Sequence, residues 1–206
     1  MTFVPQFHII STGKLEFERI QEVARRIHPL VDAIHIREKA ADARMLLDCI
    51  RELAAAGMPL SKLIVNDRAD VARVAGVKGV HLGGRSLDVN SVKQAFPGLR
   101  IGRSSHSLKE AVDSERQGAD YVIFGHVYPT GSKPGLPARG LQELKTVASS
   151  LSVPVIAIGG IRPEHVPDVL NAGAAGIAVL SGVMEADRPE QAAEDYVRQL
   201  RKWGRA

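Results

Sequence analysis

With 206 residues, 45% of them hydrophobic and 24% charged, the chain has enough material for one domain with a substantial core and too little for two of ordinary size. Its 27 basic and 23 acidic side chains leave a net charge of +4, with no basic run, no helix-turn-helix signature and few aromatics, so no nucleic-acid partner is expected. No apolar run approaches the roughly 20 residues of a membrane helix. The opening MTFVPQFHII lacks a signal peptide's basic head and long apolar core, so a cytoplasmic protein without a membrane partner is expected.

The chain begins its regular pattern with FHIIST (7–12), an apolar β-branched run followed by EFERIQEVARRI, which has helical periodicity. AIHIRE (33–38) precedes the helical DARMLLDCIRELAAAG, whose Cys49 reads as a small buried hydrophobe. KLIVND (62–67) and GVHLGG (79–84) are followed by shorter links around DVARVAG and DVNSVKQAF. RIGRSS (100–105) then leads to SLKEAVDSERQG, and YVIFGH (121–126) leads, after a loop, to GLQELKTVASSL. VPVIAIGG (153–160) with PEHVPDVLNAG and GIAVLSG (176–182) with PEQAAEDYVRQLRKW complete eight strand–helix repeats. The strand runs are continuous rather than alternating, as in parallel strands covered on both faces. Eight repeats predict a single-domain (β/α)8 TIM barrel over residues 1–206, in preference to an open doubly wound sheet.

In such a barrel, function belongs to the C-terminal ends of the strands. That rule selects Arg37, Glu38 and Lys39; Asn66 and Asp67; Gly83 and Gly84; Arg103 and Ser105; Gly125 and His126; Gly159 and Gly160; and Ser181 and Gly182. AIGG and VLSG close strands seven and eight, where glycine lets backbone amides approach a phosphate. In PTGSKPG (129–135), Thr130, Ser132 and Lys133 suit an anion, and Arg37 and Lys39 flank one carboxylate at a strand end. Asp67 is a lone carboxylate, and strand four ends in Gly83, Gly84, Arg85 and Ser86, so no dedicated metal site is expected. Among seven histidines, His8, His28 and His165 read as structural or exposed, and His81 as a core hydrogen-bonding group. His35 alternates with Arg37 and so shares its face of strand two, while His106 lies near the lip of strand five. His126, beside the expected phosphate loop, is the best-placed general acid/base.

The series IHIREKA, LIVNDRADVA, GVHLGG, IGRSSHSLKEA, GADYVIFGHVYPT, PVIAIGGI and AGAAGIAVLSG resembles the thiamine-phosphate synthase superfamily over nearly the whole chain. One branch joins a pyrimidine pyrophosphate to a thiazole phosphate with Mg²⁺; the TenI-type branch is known as thiazole tautomerases, some first named as regulators. The synthase pattern has Gln at His35, a second magnesium carboxylate at Ser86, and Gly-Pro where this chain has Gly125-His126. These departures resemble the TenI pattern, although PTGSK looks like the synthase's Thr-x-Thr-Lys loop. The resemblance therefore implies a thiazole tautomerase, an isomerase without metal or cofactor, in which His126 is the proton donor. Asn66, Arg103, Ser105, His106 and the anion-binding residues named above would contact the thiazole phosphate. A Mg²⁺-dependent synthase and a non-catalytic regulator are the alternatives, and a homo-oligomer is expected from the family's habit.

Overall fold

The computed structural model describes residues 4–204. Eight parallel strands close into one barrel in sequence order: β1 (Gln6–Ile10), β2 (Ala33–Ile36), β3 (Leu63–Asn66), β4 (Gly79–Leu82), β5 (Arg100–Ser105), β6 (Tyr121–Gly125), β7 (Val155–Ile158) and β8 (Gly176–Val179). The ring closes where β8 pairs with β1, His8 opposite Ala178. Helices α1 (Phe17–Ile27), α2 (Ala43–Ala55), α3 (Ala69–Ala75), α4 (Val89–Ala95), α5 (Leu108–Arg116), α6 (Gly140–Ser150) and α7 (Val166–Asn171) return the chain between strands. The short α8 (Ser181–Met184) and the long α9 (Pro189–Trp203) follow β8. This is the (β/α)8 barrel that the eight repeats predict. The two links expected to be short carry α3 and α4, seven residues each, and α7 is shorter still at six.

Side-chain oxygens start several of these helices. Asp42 accepts from the Met45 amide at 2.9 Å, Asp88 from Ser91 at 2.8 Å and Ser107 from Glu110 at 3.2 Å, each satisfying an amide that has no partner within its helix. The strands are buried on both faces, so there are two cores. The larger lies between strands and helices and contains Ile9, Ile34, Leu63, Val80, Ile101 and Phe124 among others. It also holds Cys49, whose thiol burial pushes up to about 11, so it is an inert packing group. The second core fills the barrel with Ile10, Ala33, Ile64, Tyr121, Ile123, Ile156 and Ala178.

Three histidines share that interior. His8, His35 and His81 are almost fully buried and surround the Tyr121 ring. His8 Nδ1 lies 3.0 Å from His35 Nε2, His8 Nε2 3.0 Å from Gln6 Oε1, and His81 Nε2 2.8 Å from Ser104 Oγ. Tyr121 lies across β5 where the strand has Gly102: a Cβ there would sit 2.0 Å from Tyr121 Cζ. No described helix is long and apolar enough to cross a membrane.

Candidate active site

The C-terminal ends of the strands open into a cavity of about 1060 Å³. It takes Arg37 and Lys39 from the end of β2, Asn66 from β3, His106 from the end of β5 and His126 from the end of β6. The following loop adds Thr130, Ser132 and Lys133, and the far wall is Gly159, Gly160, Ser181 and Gly182. Arg103 and Ser105 do not line it. Side chains alternate along β5, and the phase that turns Gly102 toward Tyr121 sends Ser104 and His106 to the cavity. Arg103 instead donates to the Leu87 carbonyl at 3.0 Å, and Ser105 is buried with its hydroxyl unpartnered.

The glycine wall is held from two sides. Gly159 has φ 99°, and a Cβ on it would fall 2.2 Å from the His126 Cβ. Only glycine permits both that backbone conformation and that approach. His126 is buried, and its Nε2–H donates to the Leu136 carbonyl at 3.2 Å, since a carbonyl can only accept. The residue thus braces the 129–136 loop against the glycine turn. From the other side, the Tyr196 hydroxyl of α9 donates to the Ile161 carbonyl at 2.9 Å and lies beneath Gly182. Sequence reasoning passes over Tyr196, because nothing local links it to a turn 35 residues earlier.

His106 is equally constrained. Its Nδ1–H donates to the Gly125 carbonyl at 2.7 Å, which leaves Nε2 as the acceptor, 3.4 Å from the Lys133 ammonium. Its backbone amide is tied to Glu110 at 2.7 Å. Lys133 is therefore drawn inward by an imidazole nitrogen rather than by a carboxylate.

The opposite rim is cationic. Arg37 is anchored to the end of β1 by its amide, which donates to Ser11 Oγ at 2.7 Å. Lys39 has its ammonium pKa lowered, first by Arg37 and then by slight burial, Arg85 and Lys133; Asp67 opposes this. Glu38 is pulled back toward the loop after β1, where it accepts from the Gly13 amide at 3.3 Å, and burial raises its pKa. Asp67, with φ 63°, accepts from the Ser86 hydroxyl and from the Gly83 amide, so one carboxylate oxygen closes the turn after β4.

The matching family model, thiamine monophosphate synthase, covers residues 7–183. The chain belongs to that family. A thiamine-phosphate synthase of Chlorobium luteolum is 43% identical over 182 residues, 85% of this chain and 84% of its own length. One from Pyrococcus furiosus is 35% identical over 92% of both chains. The solved thiamine phosphate pyrophosphorylase of Pyrococcus furiosus superposes with a TM-score of 0.83, at 32% identity over 96% of each chain. A 3-hexulose-6-phosphate synthase, 19% identical with a TM-score of 0.73 over 94% of this chain and 99% of its own, shares the fold.

These relatives correct the expectation of a TenI-type tautomerase. They carry synthase names, and a synthase is a transferase rather than an isomerase. Two of the residues that suggested the tautomerase make packing contacts in the fold. His35 does not line the cavity; it lies below it, packed between His8 and His81. His126 lines the cavity and also makes the bracing contacts described above.

Proposed function

We propose that this chain joins a pyrimidine carrying a methylene diphosphate to a thiazole phosphate, forming thiamine phosphate and releasing diphosphate. The observation that carries the reading is one cavity with two anion-receptive walls on opposite sides of the barrel. The glycine turns follow β7 and β8, and Arg37, Lys39 and Arg85 follow β2 and β4. In a closed ring of eight strands, β3–β4 and β7–β8 face each other across the axis. A substrate pair with one phosphate and one diphosphate fits that division, and the names of the relatives support it.

In this reading the amides of Gly159, Gly160 and Gly182 and the Ser181 hydroxyl hold the thiazole's phosphate. The thiazole nitrogen donates its lone pair to the pyrimidine methylene carbon. The carbon–oxygen bond to diphosphate breaks, and its electron pair leaves with the diphosphate. Arg37, Lys39 and Arg85 are placed to stabilise that departing charge, and Lys133 closes over the mouth. His126 and His106 act as positioning residues for the loop that carries Lys133.

The family resemblance implies Mg²⁺, and the residues here do not fit a two-carboxylate site for it. Asp67 spends one oxygen on the turn, Ser86 stands at the second position, and cations surround both. Among the described residues, no cluster of three His, Cys, Asp or Glu side chains is arranged to hold a metal.

The test is to supply both substrates with Mg²⁺ and follow thiamine phosphate by mass spectrometry. Product at a rate that falls in Lys133→Ala is expected. No product from the wild type, with binding of the thiazole phosphate intact, refutes the synthase reading.

A further inference from the structure

We infer that this chain binds the diphosphate group directly on Arg37, Lys39 and Arg85, with these cations standing in place of a divalent metal. The inference rests on the synthase reading for the identity of the anion, and on the following contacts for the rest.

Each carboxylate at this rim has an oxygen committed to a loop. Asp67 Oδ1 accepts from Ser86 and from the Gly83 amide at 3.2 Å, and Ser86 Oγ itself accepts from Gly83 at 2.7 Å. The group acts as the lock of a tight turn. Glu38 leans away to Gly13. The cations, in contrast, have donors to spare. Among the described residues, none of Arg37, Lys39, Arg85 and Lys133 forms an ion pair within 4 Å. Arg37 makes only a long contact from its guanidinium to the Thr12 carbonyl, at 3.5 Å.

Like charges are gathered here without matching acids. Lys39 feels Arg37, Arg85 and Lys133 at once, and that mutual repulsion lowers its pKa. Two guanidiniums and two ammoniums outnumber the two carboxylates here, Asp67 and Glu38, each with an oxygen already bonded, and so repel a divalent cation and attract a multiply charged anion. Guanidinium forks also match the oxygens of a phosphate in pairs. Arg85 stands next to the position where the family pattern places its second metal ligand. An acid-to-serine change at Ser86 with an arginine beside it reverses the local charge, so the same leaving group can be met by a protein cation.

The experiment is calorimetric titration with inorganic pyrophosphate, in EDTA and then with Mg²⁺, on the wild type, Arg85→Ala and Asp67→Asn. Asparagine keeps the acceptor oxygen and tolerates the positive φ of residue 67. Expected are binding in EDTA, a loss of about tenfold or more in Arg85→Ala from removing a charged hydrogen bond, and equal or tighter binding in Asp67→Asn. Binding that disappears in EDTA and returns with Mg²⁺, or that is lost in Asp67→Asn, overturns the inference; so does no binding under either condition. These outcomes are separate from turnover. Metal-free binding without thiamine phosphate formation sinks the synthase reading and leaves this one standing, and product formation with strictly Mg²⁺-dependent binding does the reverse.

Discussion

Acidification is the perturbation to which the barrel interior is most exposed. Burial lowers the pKa of His8 and of His81 from the ordinary 6.5 to about 3, and burial together with its histidine neighbours holds His35 well below 6.5. All three are neutral in the folded protein near neutral pH. The unfolded chain takes up protons as pH falls through 6.5, and the folded chain refuses them until about pH 3, so stability declines across that window. At about pH 5, where both His8 and His81 are still neutral in the fold, the penalty depends only on how far the pH lies below the unfolded value. That is about 1.5 units, or about 2 kcal/mol per histidine and about 4 kcal/mol for the pair. His35 adds in the same direction. Set against a total stability of about 5–15 kcal/mol, the loss is large, and it corresponds to a fall of roughly 8–16 °C in Tm. The lowered pKa values of Asp70 and Asp88 act at more acid pH, because their ordinary value is 3.8. The assay is urea unfolding at several pH values from about 7.5 to 5, with imidazole NMR signals recorded on the folded protein. A change in unfolding free energy below about 1 kcal/mol over that range, or imidazolium signals from these histidines in the fold near pH 5, would refute the reasoning.

Gly159→Ala must place a methyl group 2.2 Å from the His126 Cβ at a φ of 99°. Strain and overpacking together predict a loss of about 2–5 kcal/mol in urea unfolding, with weaker thiazole phosphate binding. Arg103→Ala removes a guanidinium that does not line the cavity and bonds the carbonyl of Leu87 at its edge. Its effect on thiazole phosphate and pyrophosphate affinity should stay within about 0.5 kcal/mol, roughly twofold, and a tenfold loss in titration would place Arg103 in the site. Tyr121→Phe deletes a fully buried hydroxyl with no hydrogen-bond partner. It should raise stability by about 1 kcal/mol or more, and a clear drop in the melting curve would reveal a bound partner for that hydroxyl.

The fold was legible because parallel strands buried on both faces leave continuous β-branched runs, and eight of these alternate with helical periods. The runs overreach the strands at their C-terminal ends for a physical reason. VPVIAIGG contains a strand only over Val155–Ile158, because Gly159 and Gly160 leave the ladder at positive φ to form the cavity wall. What the runs could not give was the facing of a polar strand. RIGRSS has no apolar alternation to fix its phase, so Arg103 and Ser105 looked as eligible as Ser104 and His106. The phase is set by Gly102, which is small because Tyr121 of the next strand lies on it. That is a contact between strands, with no local sequence signal. The Tyr196 support of the glycine wall is hidden in the same way.

A residue at a strand end that departs from a family pattern can change the chemistry or merely the packing, and sequence alone does not separate the two. The fold separates them here. His35 joins a buried column with His8 and His81 and does not line the cavity, so its departure belongs to the interior. His126 packs its Cβ under Gly159 and spends Nε2–H on Leu136, so it braces two loops while lining the cavity. Ser86 lines the cavity where the family pattern has an acid, and Arg85 beside it makes that wall more cationic. Of the three differences that pointed to another reaction, His35 is accounted for by contacts below the cavity, and His126 makes its bracing contacts while lining it. In the proposed synthase reading the third bears on how the diphosphate's charge is balanced, which is why the decisive measurement on this chain is anion binding with and without a metal.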